Sequence, residues 1–435
     1  MSAKLPVEIL IETVVETGLC TRCGTCVGAC PAKNLGIGDP LGACLPVAAE
    51  ACTSCGMCLD GCPGASVDFA PLEKGLFGDA VPNRLLGVVR GAYLAHASDA
   101  IIRRNGSSGG VVTAMLLDLV GRGESKGAVL FAPHREEPWR GWGRIASSPE
   151  EIAAAAQSRY HLSPLNTALG EMRDAKGDFA YVGIPCQIHG LRKLQAALWR
   201  PAGIRLSPII GIYCGNNLYY EATRVMLKKL GVRRPEDVAA LSYREGVWPG
   251  SFVARTADGV VRSISKLDFN QVIPFYINRR CLFCIDLANE LADLSVGDGW
   301  AKEGSGGDGW SVVLVRTETG ERVFDGAVRS GVLEAEPITV EAAERMHSHA
   351  FDLKKTGAFL RLGLWKGWGC AVPRYDRPGP RVTAGRRFFE VVLSLQFAAA
   401  SSWVGRAVFR VLPARALGRL FRFLRKRWMR STARR

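Results

Sequence analysis

Two cysteine runs constrain this chain more than any other feature. Residues 20–31 read CTRCGTCVGACP and residues 52–63 read CTSCGMCLDGCP. Both are C-x2-C-x2-C-x3-C-P, the spacing of bacterial two-cluster ferredoxins, in which the fourth cysteine of each run ligates the other cluster. Three thiolates on one tight loop close over one face of a cubane, and the fourth must arrive from elsewhere. The expected ligand sets are Cys20, Cys23, Cys26 and Cys62 for one 4Fe–4S cluster, and Cys52, Cys55, Cys58 and Cys30 for a second. Gly24 and Gly56 let the backbone curl around the sulfurs. Pro31 and Pro63 lead the chain away after the fourth ligand. A zinc site would explain paired C-x2-C units, but not two complete four-cysteine runs each closed by proline. Cys44, in the connector, reads as a small buried side chain.

Nine of the 14 cysteines lie between Cys20 and Cys62. The first 19 residues carry Glu8, Glu12 and Glu16 and lack the basic start and apolar run of a secretory signal. A cytoplasmic location is therefore expected, and a disulfide framework explains the cysteines poorly. A length of 435 residues suits two or three domains. Net charge is +15, but residues 381–435 hold 14 basic residues against one acid, Glu390. The body is close to neutral, so nucleic-acid binding is not expected. No uncharged apolar run reaches the roughly 20 residues of a spanning helix.

The ferredoxin-like domain is assigned to residues 10–70, a linker to 71–90, the main body to 91–345 and an extension to 346–380. In the body, strands are predicted over Gly91–Ala97, Gly127–Phe131, Phe179–Gly183 and Leu206–Tyr213, with a helix from Val111 and another over Glu151–Ser158. A hairpin over 251–265 turns at Asp258–Gly259. The alternation gives an α/β fold, with α+β as the alternative. Cys186 and Cys214 stand just past the C-terminal ends of two strands, where α/β sheets build sites. With the C-x2-C pair Cys281 and Cys284 they make four thiols, enough for a third 4Fe–4S cluster. On spacing alone, buried unligated cysteines or a zinc knuckle stay open. Asp286, Glu290, Asp293 and Asp298 read as surface or outer groups rather than ligands. His189 reads as a donor toward cluster sulfur or as a packing residue. His161, beside Arg159 and Tyr160, reads as structural, with a proton donor or a cofactor contact as the alternative. Asn105, Ser107, Ser108, Gly109 and Gly110 form a polar, glycine-dense approach to the helix at Val111. It suits a phosphate or pyrophosphate, with a serine-capped flexible turn as the alternative.

Residues 381–435 form a basic tail, predicted as two helices split at Pro413. In the second, Leu417, Leu420, Phe421, Leu424 and Trp428 line one stripe. Arg415, Arg419, Arg422, Arg425, Lys426, Arg427 and Arg430 flank it. The pattern reads as a helix lying on an anionic membrane surface. Docking on a partner subunit, or a solvated tail, are the alternatives.

Five segments in order, NGSSGGVVTAML (105–116), QSRYHLSP (157–164), VGIPCQIHGLRKL (182–194), IGIYCGNN (210–217) and CLFCIDLANELADLSVGD (281–298), resemble the coenzyme F420 hydrogenase/dehydrogenase beta-subunit family. The N-terminal two-cluster domain resembles that of some of its members. The resemblance implies a middle domain that binds FAD non-covalently, with Ser108–Gly110 in the flavin site. It also places Cys186, Cys214, Cys281 and Cys284 at the positions that ligate the family's own cluster. The implied activity passes electrons between 4Fe–4S clusters and FAD, with hydride exchange with a small organic acceptor or donor (deazaflavin-like, nicotinamide or other). The implied partner is a redox protein or ferredoxin. A non-catalytic electron-relay subunit of a larger redox complex is the alternative.

Overall fold

A computed structural model of the chain describes residues 4–48, 52–197, 199, 203–300, 307–414, 416–419, 421–423 and 426. The body is built on one eight-stranded sheet. Its strands are β1 (Gly91–Ala97), β2 (Ala128–Pro133), β3 (Gly141–Ala146), β4 (Gly177–Gly183), β5 (Ile204–Ile212), β6 (Leu294–Asp298), β7 (Ser311–Val315) and β8 (Leu333–Pro337). The order across the sheet is β8-β1-β7-β6-β5-β4-β2-β3. β2, β4, β5 and β6 run parallel at the centre, and the remaining pairings are antiparallel. The fold is therefore mixed α/β, with antiparallel wings that simple strand–helix alternation does not announce.

Side chains alternate between the two sheet faces, as the pleat requires. Leu130, Val182 and Ile210 join one core with Met115 and Leu119 of α2 (Val111–Gly121) and Phe324 of α4 (Glu318–Arg329). Val129, Tyr181 and Ile209 join a second core with Ile188, Leu191 and Leu194 of α3 (Pro185–Ala196). The predicted hairpin is present as Ser251–Thr256 paired with Val261–Ser265, and Val238–Glu245 adds a third strand to it.

The two cysteine runs are pseudo-symmetric in backbone. Arg22 and Ser54 occupy the left-handed region at matching positions (φ 62° and 56°), as do Gly24 and Gly56 (84° and 77°). Gly24 starts the short helix α1 (Thr25–Ala29), and Gly56 starts its counterpart Met57–Asp60. Their surroundings differ. A Cβ on Gly24 would meet Pro164 O at 2.8 Å, and one on Gly28 would meet Asn166 O at 1.9 Å. A Cβ on Gly56 would meet nothing nearer than Asp60 at 3.8 Å. The first run is thus wedged against the body at its glycine turn, while the second is open at Gly56 and meets the body only at its end, where a Cβ on Gly61 would lie 2.5 Å from Leu194 of α3.

The segment expected as a linker begins inside a helix, Phe69–Phe77. Its first two amides donate to the Asp376 carboxylate at 2.8 and 2.7 Å, a cap supplied from about 300 residues away. The neighbouring Arg374–Tyr375 pairs with Ser66–Val67, so the extension returns to the ferredoxin-like region. In the tail, α5 (Ala384–Ser401) and α6 (Trp403–Val411) meet at 72°. A break not expected from sequence comes at Ser402, whose side chain accepts from Gly405 N at 3.1 Å and caps α6, and the expected break at Pro413 is present as well: α6 ends at Val411 and helix resumes at Ala414. Arg415, Leu420, Leu424, Arg425, Arg427, Trp428 and Arg430 lie outside the described residues. Among those described, no single helix is long and apolar enough to cross a membrane.

Candidate metal and cofactor sites

Cys20, Cys23, Cys26 and Cys62 line one cavity of about 380 Å³. The predicted exchange of fourth cysteines therefore brings Cys62 to the first run. Burial pushes the Cys20 thiol up to about 12, so ionising it needs a positive partner of the kind a metal centre supplies. Cys44, fully buried, lies on the same cavity. Cys52 and Cys55 stand near Cys58; burial first, then these neighbours, push the Cys58 thiol up to about 11. Cys30 packs in the same apolar cluster as Cys52, Cys58 and Cys62, and Asn34 N donates to its sulfur at 3.3 Å. Cys55 is the exposed member of this second set.

Cys186, Cys214, Cys281 and Cys284 line a second cavity, of about 460 Å³. Cys186 is in the first turn of α3 after β4, and Cys214 follows β5. Burial pushes Cys214 up to about 12. Two basic residues face these thiols. Lys354 donates to Cys281 O at 3.2 Å; burial works against its charge, but Cys284, Cys281 and Cys214 outweigh burial and hold its pKa above the usual lysine value. Arg280 is buried and donates to Gly64 O and Pro63 O at 2.9 and 3.1 Å. It therefore clamps the end of the second run against the Cys186 cavity. Lys193 does the same at Cys62 O, at 2.6 Å. Among the described residues no three His, Cys, Asp or Glu side chains converge as they would on a single ion. Four thiols spread around a cavity suit a four-iron cluster, in which each binds a different iron.

Thr21 and Pro63 line both cavities. The Cys20 set thus adjoins the Cys186 set on one side and packs with Cys30, Cys52 and Cys58 on the other, and Cys55 is exposed.

Of the two positions that the sequence leaves for the acids after the C-x2-C pair, at the surface or behind the ligands, the structure shows the second for Asp286 and Glu290. Asp286 and Glu290 are fully inaccessible, and each is paired. His189 Nε2 meets Asp286 Oδ2 at 2.9 Å. Burial opposes the Asp286 charge, yet His189 and Lys355 hold its carboxyl well below the ordinary range. Glu290 binds Lys355 and Arg377. The Asp293 carboxylate accepts from Ile209 N at 2.7 Å and faces Arg192 at 3.3 Å. Asp298 takes both its bonds from Arg244 Nη1, at 2.8 and 2.9 Å. His189 is thus oriented by a carboxylate and lies on the wall of the Cys186 cavity. The basic neighbours Arg280, Lys354 and Lys193 were not singled out from sequence; Arg280 alone had a local cue, in the RRC that precedes Cys281.

Asn105 ends the helix Ala100–Asn105, and Gly110 opens α2 with φ 72°. Ser107 Oγ accepts from Ser158 N at 2.6 Å, and Ser108 Oγ donates to Trp310 O. Gly109 N donates to Ser311 Oγ at 3.0 Å, and a Cβ on Gly109 would meet Ala95 O at 2.5 Å. The stretch is a fixed turn seated at the end of β1 and the start of β7, not a flexible one. Two buried donors close by have no partner: Arg244 Nη2 and Trp248 Nε1. Trp248 stands against Gly309, which itself abuts Ser108. Such orphaned donors fit a polar ligand held beside Ser107–Gly110. His161 is buried with Nδ1 on Leu162 O at 2.9 Å, and burial first lowers its pKa to about 4. Burial thus holds the imidazole neutral.

Comparison with known proteins bears on these sites. Residues 92–170 match the model of the coenzyme F420 hydrogenase/dehydrogenase beta subunit N-terminus, and residues 177–341 match that of its C-terminus. Residues 12–63 match a 4Fe–4S dicluster domain. The chain is 31% identical over 264 residues to the coenzyme F420 hydrogenase subunit beta of Methanothermobacter thermautotrophicus, covering 58% of this chain and 86% of that one. It is 27% identical over 355 residues to the coenzyme F420-dependent sulfite reductase of Methanocaldococcus jannaschii, covering 78% of this chain and 50% of that one. A chain in a structure of the F420-reducing [NiFe] hydrogenase complex from Methanosarcina barkeri shares the fold, with a TM-score of 0.54 and 23% identity over 67% of this chain and 98% of that one. On the strength of the sequence matches, the chain belongs to the coenzyme F420 hydrogenase/dehydrogenase beta-subunit family.

Proposed function

We propose that the chain is an iron–sulfur flavoprotein oxidoreductase. It moves electrons between a redox partner protein or ferredoxin and a small organic acceptor of the deazaflavin or nicotinamide class, by hydride exchange and in the cytoplasm. The observation that carries this reading is the shared wall: Thr21 and Pro63 border both thiol-lined cavities. When bound, the clusters carry single electrons and FAD interconverts one- and two-electron chemistry. Cys20, Cys23, Cys26 and Cys62 hold one cluster, Cys52, Cys55, Cys58 and Cys30 a second, and Cys186, Cys214, Cys281 and Cys284 a third. Cys55 offers the exposed end to the partner protein. Lys354, Arg280 and Lys193 set positive charge and tight backbone contacts around the inner sites. The inner thiols are shielded from water, which tunes potential through the surrounding dielectric. Asn105, Ser107, Ser108, Gly109 and Gly110 hold the flavin, with Arg244 and Trp248 offering their unpartnered N–H groups to it.

Anaerobic purification of the full chain with iron, sulfide and flavin quantitation tests the reading. About 12 iron atoms and one FAD per chain are expected for three four-iron clusters. About eight iron atoms and no flavin would overturn it, leaving an electron-relay subunit.

A further inference from the structure

Helix α5 is turned inside out. Its buried positions are Arg386, Glu390, Ser394 and Phe397. Glu390 binds Arg361 and Arg386, with Arg361 and Glu390 both nearly inaccessible. The opposite face carries Phe388, Val392 and Leu395, spaced four and three residues apart in one row. Phe388 is 71% exposed and Leu395 54%. The row continues past the 72° elbow: Trp403 is 82% exposed, and Val404, Val408 and Val411 follow it on α6. A water-facing helix has the reverse pattern, with charges outward and apolar groups inward. A contiguous apolar surface of this kind marks an interaction site.

The charge around it selects the partner. Residues 381–435 hold 14 basic residues, and the single acid, Glu390, points inward and is paired. Arg381 and Arg387 are exposed beside the apolar row, and neither forms an ion pair among the described residues. Arg406 and Arg410 pin α6 to Glu221 of the body, and Phe409 stacks on Phe275. The pair of helices is therefore held in place with its apolar row outward. The outward row is phenylalanine, valine, leucine and tryptophan, short of the hydrogen-bonding groups that a protein interface uses. Basic residues beside an apolar face with an exposed tryptophan fit an anionic lipid surface.

We infer that the outward faces of α5 and α6 dock the chain on an anionic bilayer, lying in its surface without crossing it. This is independent of the redox reading.

Vesicle co-sedimentation of the full chain, with phosphatidylglycerol mixed into phosphatidylcholine and with phosphatidylcholine alone, tests it. Binding to the anionic vesicles is expected to fall about tenfold or more in the triple variant Phe388→Ser, Leu395→Ser, Trp403→Ser. The three residues are exposed, and an unchanged iron content verifies the fold. Arg381→Glu with Arg387→Glu, which leaves the apolar row intact, is expected to abolish the preference for the anionic vesicles. Wild-type chain that stays in the supernatant, or triple-variant binding equal to wild type, would overturn the inference. So would lipid-free self-association that the triple variant abolishes, since the face would then belong to a second copy.

Discussion

Removing the charge of Glu290 is predicted to loosen the innermost thiol site more than any surface charge change. Glu290 lies six residues after Cys284 and is fully inaccessible. Its two oxygens bind Lys355, itself 4% exposed at the side chain, and Arg377. Its amide also donates to Asp286 at 3.0 Å, and Asp286 orients His189 on the cavity wall. Glu290→Gln keeps the shape but takes the direct partner from buried Lys355 and leaves half-buried Arg377 to Glu73, with Asp286 the next acid. Stripping one partner from a buried pair costs about 3–5 kcal/mol, because the remaining charge stays desolvated. For a body of this size about 2 °C accompanies each kcal/mol, so thermal unfolding of the holoprotein should fall by about 6–10 °C. Adding Lys355→Met to Glu290→Gln should recover part of that loss, since it removes one stranded cation. Glu12→Gln is the control, because its Lys4 pair is exposed on both sides, and no measurable shift is expected. A Glu290→Gln shift of less than about 2 °C, or a double variant no better than the single, would refute the buried-network argument.

Three further outcomes follow from the same geometry. Gly28→Ala should destabilise by about 1–3 kcal/mol, since its Cβ would sit 1.9 Å from Asn166 O, whereas Gly36→Ala, with open space around it, should not lower the melting temperature measurably. His161 is held neutral, with a folded pKa of about 4 against an unfolded value near 6.5, so below pH 6.5 the unfolded chain gains a proton that the folded chain refuses. Its contribution to stability is complete above pH 6.5 and lost as pH falls, by about 2 kcal/mol between pH 6.5 and 5; His161→Gln should flatten the acid side of a stability–pH curve over that interval. Glu390→Gln strands Arg361 and leaves Arg386 to Asp352 alone, and it should loosen α5, read as faster limited proteolysis in the tail with iron content unchanged.

Local rules made much of the chain legible. The strand at Gly91–Ala97 and the helix start at Val111 follow from hydrophobic period alone. The hairpin follows from Asp258–Gly259. The cysteine spacing anticipated that Cys62 joins Cys20, Cys23 and Cys26 in one cavity. What the sequence hid was non-local. Asp376 caps a helix that begins at Phe69, so the supposed linker carries structure. Asp286 and Glu290 alternate with apolar residues in IDLANELADL, and their partners could not be read because His189, Lys355 and Arg377 are far away in the chain. Lys354 belongs to an extension that local pattern could not connect to Cys214. The α5 pattern was legible as amphipathic, but not which face turns inward. That is set by Arg361, supplied by a different helix.

Under the proposed function, electrons reach the flavin through the Cys186 set. The direct test is flavin reduction by reduced ferredoxin in anaerobically purified Cys214→Ser, followed by flavin absorbance. This variant is predicted to keep FAD and about eight of its 12 or so iron atoms. Its N-terminal clusters should be reduced while the flavin stays oxidised. Flavin reduction at the wild-type rate in a chain lacking the third cluster, or an unchanged iron content, would contradict the claim.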